Sequence, residues 1–141
     1  MELIEFGELE LTYTAVELVD YGSDGQIYGT MEGTVAGDRI NAQLRLTNLA
    51  ARRPDNVNLP TLRGVMTTDD GAAVWVEIDG VATLRASDNA RVFVTAFRCR
   101  TGDGRYAWLN TMVGVLEGVL TSVGLNSTAR GSIFECRATV E

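Results

Sequence analysis

Two residue types are missing from this chain. It has no histidine and no lysine, and all 12 basic residues are arginine. Without histidine there is no Ser-His or Cys-His nucleophile pair and no imidazole-liganded metal. Without lysine there is no Schiff base, no pyridoxal-phosphate anchor and no phosphate-loop lysine. Arginine stays protonated, so it can stabilise an anion but makes a poor base. Proton transfer is left to Asp, Glu, Tyr, Cys or water, and the expectation is a protein with no cofactor and no metal. Cysteine is scarce: Cys99 and Cys136 lack metal-ligand spacing and read as small buried hydrophobes. No apolar run approaches the ~20 residues of a membrane helix. The acidic start Met1-Glu2-Leu3-Ile4-Glu5 does not read as a signal peptide. A cytoplasmic protein with no membrane partner is expected. A net charge of −7 argues equally against a nucleic-acid partner, since polyanions repel an acidic surface.

What is present is a β-rich globular chain. At 141 residues and 45% hydrophobic content the sequence is long and apolar enough for one domain over 1–141 with a real core. Strands alternate with glycine- and asparagine-rich turns. Leu9, Leu11, Tyr13 and Ala15 alternate with Glu8, Glu10, Thr12 and Thr14, and the phase then blurs, which predicts a bulge. Gln26 to Val35 is a second strand, its Gly29 and Gly33 marking bends or close backbone approach. The cleanest pattern is Ile40, Ala42, Leu44 and Leu46 on one face against Asn41, Gln43, Arg45 and Thr47 on the other. Asn48 to Pro60 reads as a loop of the length that tends to carry function. Its Arg52 and Arg53 could meet an anionic ligand, although solvated charge is the plainer reading.

Two hairpins follow. The first turns about Asp69-Asp70-Gly71. If Asp70-Gly71 is a two-residue turn, Thr67 pairs with Val74, Val65 with Val76 and Arg63 with Ile78. Leu62, Gly64, Met66, Trp75 and Glu77 then share the other face. Val81 to Arg91 is a connection with an Asp88-Asn89 turn. The second hairpin runs from Val92-Phe97 through Gly102-Asp103-Gly104 into a strand from Tyr106 to Leu116. The last strand, Ser132 to Val140, is expected to turn Phe134, Cys136, Ala138 and Val140 inward. No convincing helix appears beyond a turn within Gly114 to Val123. About eight strands with short turns predict an all-β fold, a single antiparallel closed barrel with room for one small molecule.

The second half has a family look. Arg63-Gly64-Val65-Met66-Thr67-Thr68-Asp69-Asp70-Gly71, then Arg98, then Tyr106-Ala107-Trp108-Leu109-Asn110 resemble the DUF3237 (UPF0311) family. The chain departs from it at Gly64, where an aromatic is usual, and at Arg100, where an acid is usual. The resemblance implies a calycin-like, lipocalin-like barrel, often dimeric. It also implies cyclisation of small natural-product, polyketide-like intermediates where the family has an assigned role.

Two faces compete to line the barrel. One carries Met66, Trp75, Glu77, Phe93, Phe97, Tyr106, Trp108, Asn110 and Met112; the other carries Arg63, Val65, Val74, Val76, Val94, Ala96, Arg98, Leu109 and Val113. The first makes a flat slot for an apolar or aromatic small molecule, with Glu77 facing the space left by Gly64. The second makes an anion pocket of two guanidiniums. A cofactor-free cyclase or isomerase would use Glu77 as base, with Tyr106 or Arg98 polarising a carbonyl. A carrier barrel would use the same slot without a reacting group, and Glu77 on the outer wall would favour the carrier. Apolar residues on both faces of Val74-Ile78 and Leu109-Leu116 predict a homodimer.

Overall fold

The computed structural model describes residues 1–141. Eight long strands make the fold: β1 (Glu2–Asp20), β2 (Gly25–Ala36), β3 (Asn41–Asn48), β6 (Thr61–Thr68), β7 (Ala73–Leu84), β8 (Arg91–Arg100), β9 (Val113–Leu120) and β10 (Thr128–Arg137). Each pairs antiparallel with the next long strand in the chain. The last pairs with the first, Leu11 opposite Ala129 and Leu3 opposite Cys136. The sheet is therefore a closed up-and-down barrel with no free edge among the long strands. The blurred phase of β1 is a bulge between Tyr13 and Ala15.

Alternation fills the barrel. Leu9, Leu11 and Tyr13 of β1 meet Met31 and Val35 of β2, then Ile40, Ala42, Leu44 and Leu46 at and along β3, all buried. Met66, Val74, Val76, Ile78, Phe93, Phe97, Leu116 and Ile133 join them in one core cluster of 25 residues. The strict parity expected of β3 is found, and so is the aromatic-in alternative for β8.

Several local expectations are corrected. The β6–β7 loop has three residues, with Thr68 and Ala72 bonded across it and Gly71 at φ +89. Thr67 therefore pairs with Ala73, Val65 with Trp75 and Arg63 with Glu77. One extra residue exchanges the faces of β7, because side chains alternate strictly along a strand. Trp75 and Glu77 consequently lie on the outer wall. Gly64 leaves no gap: it pairs with Val76 and Leu46, and a Cβ there would sit 2.0 Å from the Arg45 carbonyl oxygen. Its absent side chain lets β3 and β6 approach closely.

The segment after Gly102 is not a strand. Gly104–Thr111 is a short 3₁₀ helix, η1, started by Asp103, whose carboxylate accepts the Arg105 amide. It folds over one end of the barrel and buries Leu109 and Met112. The segment from Gly114 to Val123, read as the one helical candidate, is instead mostly β9. In β10 the inward row is Ala129, Gly131 and Ile133, so Phe134 and Cys136 take the outer parity while Ala138 and Val140 follow the strand, exposed. The competing row won because Ile133 fills the core, whereas Phe134 sits beside Val115 and Ala96 on the outer wall. The long loop holds two short strands, β4 (Ala51–Arg52) and β5 (Asn58–Leu59). They pair with each other and tie β2 to β7 across the end opposite η1.

Candidate functional site

The end strapped by β4 and β5 holds a cavity of about 60 Å³ among Leu11, Met31, Ile78, Phe93, Leu116 and other apolar side chains. It opens outward into a mouth of about 300 Å³ bordered by Arg52, Asn58, Asn89 and Arg91. Four buried polar side chains line the cavity: Tyr13, Asn48, Asn58 and Thr95. Parity places three of them. Tyr13 ends the inward row of β1, Asn48 extends the Ile40–Leu46 row, and Thr95 lies between Phe93 and Phe97. Gly29 accommodates the Tyr13 ring, since a Cβ there would come within 2.6 Å of it.

Hydrogen bonds fix how these groups face the space. The Thr61 backbone amide donates to Asn48 Oδ1 at 3.2 Å, and a backbone N–H can only donate. Asn48 Nδ2 must then face Tyr13 Oη, to which it donates at 2.9 Å. Tyr13 Oη is thereby an acceptor in the protein, with its own proton left over for another partner. Burial raises the Tyr13 pKa above its ordinary value, only partly offset by the Asn48 bond, so the phenol is neutral at physiological pH. Asn58 Oδ1 and Thr95 Oγ1 are buried with no hydrogen-bond partner in the protein. Burial and then the neighbouring Arg52 charge lower the Arg91 pKa. Parity along β8 turns Arg91 inward at the rim, and its guanidinium donates to the Asn56 carbonyl.

Tyr13 and Arg91 are the only titratable groups on this lining. Neither accepts a proton near neutrality, so the cavity can bind, orient and polarise a guest but brings no base of its own. No three His, Cys, Asp or Glu side chains converge as a metal site anywhere in the fold.

The residues singled out from the sequence fall in three other places. Met66, Phe97 and Met112 are sealed in the core. Tyr106, Trp108 and Asn110 build the η1 cap. Trp108 packs on Phe6 at 6.1 Å beneath the Arg39 guanidinium, 4.5 Å from its ring. Tyr106 donates to Asp70 at 2.8 Å, and Asn110 is tied to Thr101 by two bonds. Trp75, Glu77, Arg63 and Arg98 lie on the outer wall. There Trp75 Nε1 donates to Glu77 at 3.3 Å, and Arg63 reaches Glu77 at 3.6 Å and Asp79 at 2.9 Å. Trp75, Glu77, Arg98, Arg100 and Asn110 border an open trough there. The structure thus gathers part of the expected set, outside the barrel rather than within it. The signal for the interior set was a polar residue on an apolar row, plainest at Asn48 two positions after Leu46.

Comparison with known proteins fits this geometry. A family model described as a protein of unknown function, DUF3237, matches residues 3–127. The chain belongs to the DUF3237 family. The match takes in the N-terminal strands as well as the motifs of the second half. No curated protein matches the chain in sequence. Among solved structures it is similar to a β-barrel-like protein from Acinetobacter baumannii AYE, with 16% identity, TM-score 0.82 and 96% of each chain covered. A conserved protein of unknown function from Rhodopseudomonas palustris matches at 19% identity and TM-score 0.80, over 95% of this chain and 96% of that one. A protein from Penicillium herquei described as an enzyme matches at 18% identity and TM-score 0.72, over 96% and 94%. At these identities the likeness to solved structures shows the barrel fold and not its chemistry.

Proposed function

We propose that this barrel binds a small, mostly apolar molecule in the cavity beneath the β4–β5 strap. The observation that carries the reading is the pair of unpartnered buried atoms, Asn58 Oδ1 and Thr95 Oγ1, on an otherwise apolar lining. Burying such a group unbonded costs about 1–3 kcal/mol in proteins, and a guest that bonds to it recovers that cost. Apolar walls with a few convergent polar groups are what a small-molecule site needs. Glu77 on the outer wall favours binding or carriage over base catalysis. An apolar fluorescent probe should bind, and Ala82→Phe, which fills the cavity, should abolish binding. Undiminished binding in that variant would place the probe elsewhere and remove the reading.

Ring closure of a natural-product intermediate is the second reading. It rests on the family resemblance, and the Penicillium herquei protein described as an enzyme supports only that a barrel of this fold can be catalytic. The cavity would act by holding a flexible substrate near its closing geometry, with the Tyr13 proton polarising an oxygen. Incubation with candidate polyketide substrates should then give a product that Tyr13→Phe suppresses. Dimerisation belongs to the same proposal: Val81, Val94 and Val113 are exposed on the outer wall beside Ala96 and Val115. Sedimentation at micromolar concentration should show a dimer that Val94→Glu dissociates.

A further inference from the structure

From the charges at the mouth we infer that the guest is an amphiphilic anion. Its apolar body lies in the cavity, and its carboxylate or similar head sits at the rim on Arg91 and Arg52. The inference rests on the cavity reading above and adds the chemical class of the ligand. It begins with the distribution of arginine. Eight of the 12 arginines touch a carboxylate, which leaves Arg45, Arg91, Arg98 and Arg100 without one. Three of these four are exposed and solvated. Arg91 alone is turned toward the interior, half-buried, with only the Asn56 carbonyl as partner. A cation in that position is costly unless something pairs with it.

Arg52 makes the position worse for the protein alone. It comes from β4 to the same mouth, donates to the Asp24 carbonyl at 3.2 Å and stands 3.7 Å from the Asp20 carboxylate. Two guanidiniums against one acid leave the rim net positive on a chain of charge −7. The local field thus draws an anion to the mouth of the cavity, and guanidinium forks suit a carboxylate's two oxygens. Inside, Phe93, Leu120 and Met31 take an apolar body, while the Tyr13 proton and Thr95 Oγ1 meet a polar atom carried deeper.

Octanoate and octanol, of the same length and differing in the head, test this by calorimetry at neutral pH. Octanoate should bind about tenfold or more tighter, the scale of a charge-assisted bond, and added salt should narrow the gap. Arg91→Gln should bring octanoate down to octanol while octanol itself is unchanged; Arg91→Lys should keep part of the gap. Arg98→Gln, on the outer wall, should change nothing. Equal binding of the two compounds by the native protein overturns the anionic head and leaves the cavity reading standing. Absence of binding by either overturns both. A gap that survives Arg91→Gln, or that Arg98→Gln removes, overturns the assignment to the rim. If Arg91→Gln does not fold, Arg52→Gln and the salt series decide, and a gap indifferent to both overturns the proposal.

Discussion

The two ends of this barrel are built on opposite plans. At the capped end Leu109 of η1 and Met112 just after it are buried in the core, and Phe6 packs on Phe97 at 5.6 Å and on Trp108 at 6.1 Å. The cap's own charged and polar side chains are outside and paired: Tyr106 and Arg105 on Asp70, Arg105 on Asp103, Asn110 on Thr101. At the strapped end the lining is looser, includes four buried polar side chains, and leaves two of their atoms unbonded. Protein interiors are close-packed and their polar groups are normally satisfied. The capped end obeys that rule and the strapped end breaks it, which locates stability at one end and recognition at the other.

The sharpest way to break the comparison is to truncate the cap's foundation. Phe97 is fully buried, and Phe97→Ala should cost about 3–5 kcal/mol by urea denaturation while the intact mouth still takes up a probe below the transition. Loss of probe binding with little loss of stability would reverse the roles of the two ends.

Alkali should also act unequally. Burial pushes the Cys99 thiol from 9.0 up to about 12, so the unfolded chain releases that proton first. Its contribution is whole below pH 9.0 and drains away as pH rises toward 12, at up to about 1.4 kcal/mol per pH unit. Tyr13, its pKa also raised above 10.0 by burial, adds to the loss at the upper edge of that window. Cys99→Ala should flatten the stability–pH curve above pH 9.0; an unchanged slope would mean that the thiol is already accessible to solvent.

How the sequence maps onto these ends follows from what each signal measures. Parity in β3, the β1 bulge and closure by the last strand were legible because alternation reports a half-buried strand directly. The face of Trp75 and Glu77 was not, because it turned on one residue in the Asp69-Asp70-Gly71 loop, and the turn residues Asp and Gly serve two- and three-residue loops alike. Tyr106 to Asn110 looked like a strand because aromatic and apolar residues crowd together both in strands and in a short cap packed on a core. The site itself was half visible. Asn48 stands on an apolar row, but Asn58 reaches the cavity through a strap whose pairing to β2 and β7 is non-local.

A smaller effect probes the polar pair at the strapped end. Tyr13→Phe removes the only acceptor of Asn48 Nδ2, leaving a buried amide donor unmatched. It should cost about 1–3 kcal/mol, with Asn48→Leu in the same background recovering part of the loss. A neutral Tyr13→Phe would mean that the Asn48 amide finds water and that this end is wetter than its lining implies.

The smallest expected change has the most informative sign. Thr95 is buried and its hydroxyl has no partner, so Thr95→Val keeps the shape and removes an unmet polar group. Elsewhere a buried Thr→Val is unfavourable, because the hydroxyl is usually bonded. Here it should leave stability unchanged or raise it by up to about 1 kcal/mol, as removing an unsatisfied group does. The same variant should weaken several-fold the binding of a guest whose apolar body carries a hydroxyl or carbonyl, since that group loses its partner, and should leave a purely apolar probe unaffected. Gain in one property with loss in the other is the mark of a group retained for a ligand. A clear loss of stability would instead show that Thr95 Oγ1 is bonded within the folded protein, and the contrast between the two ends would shrink to packing alone.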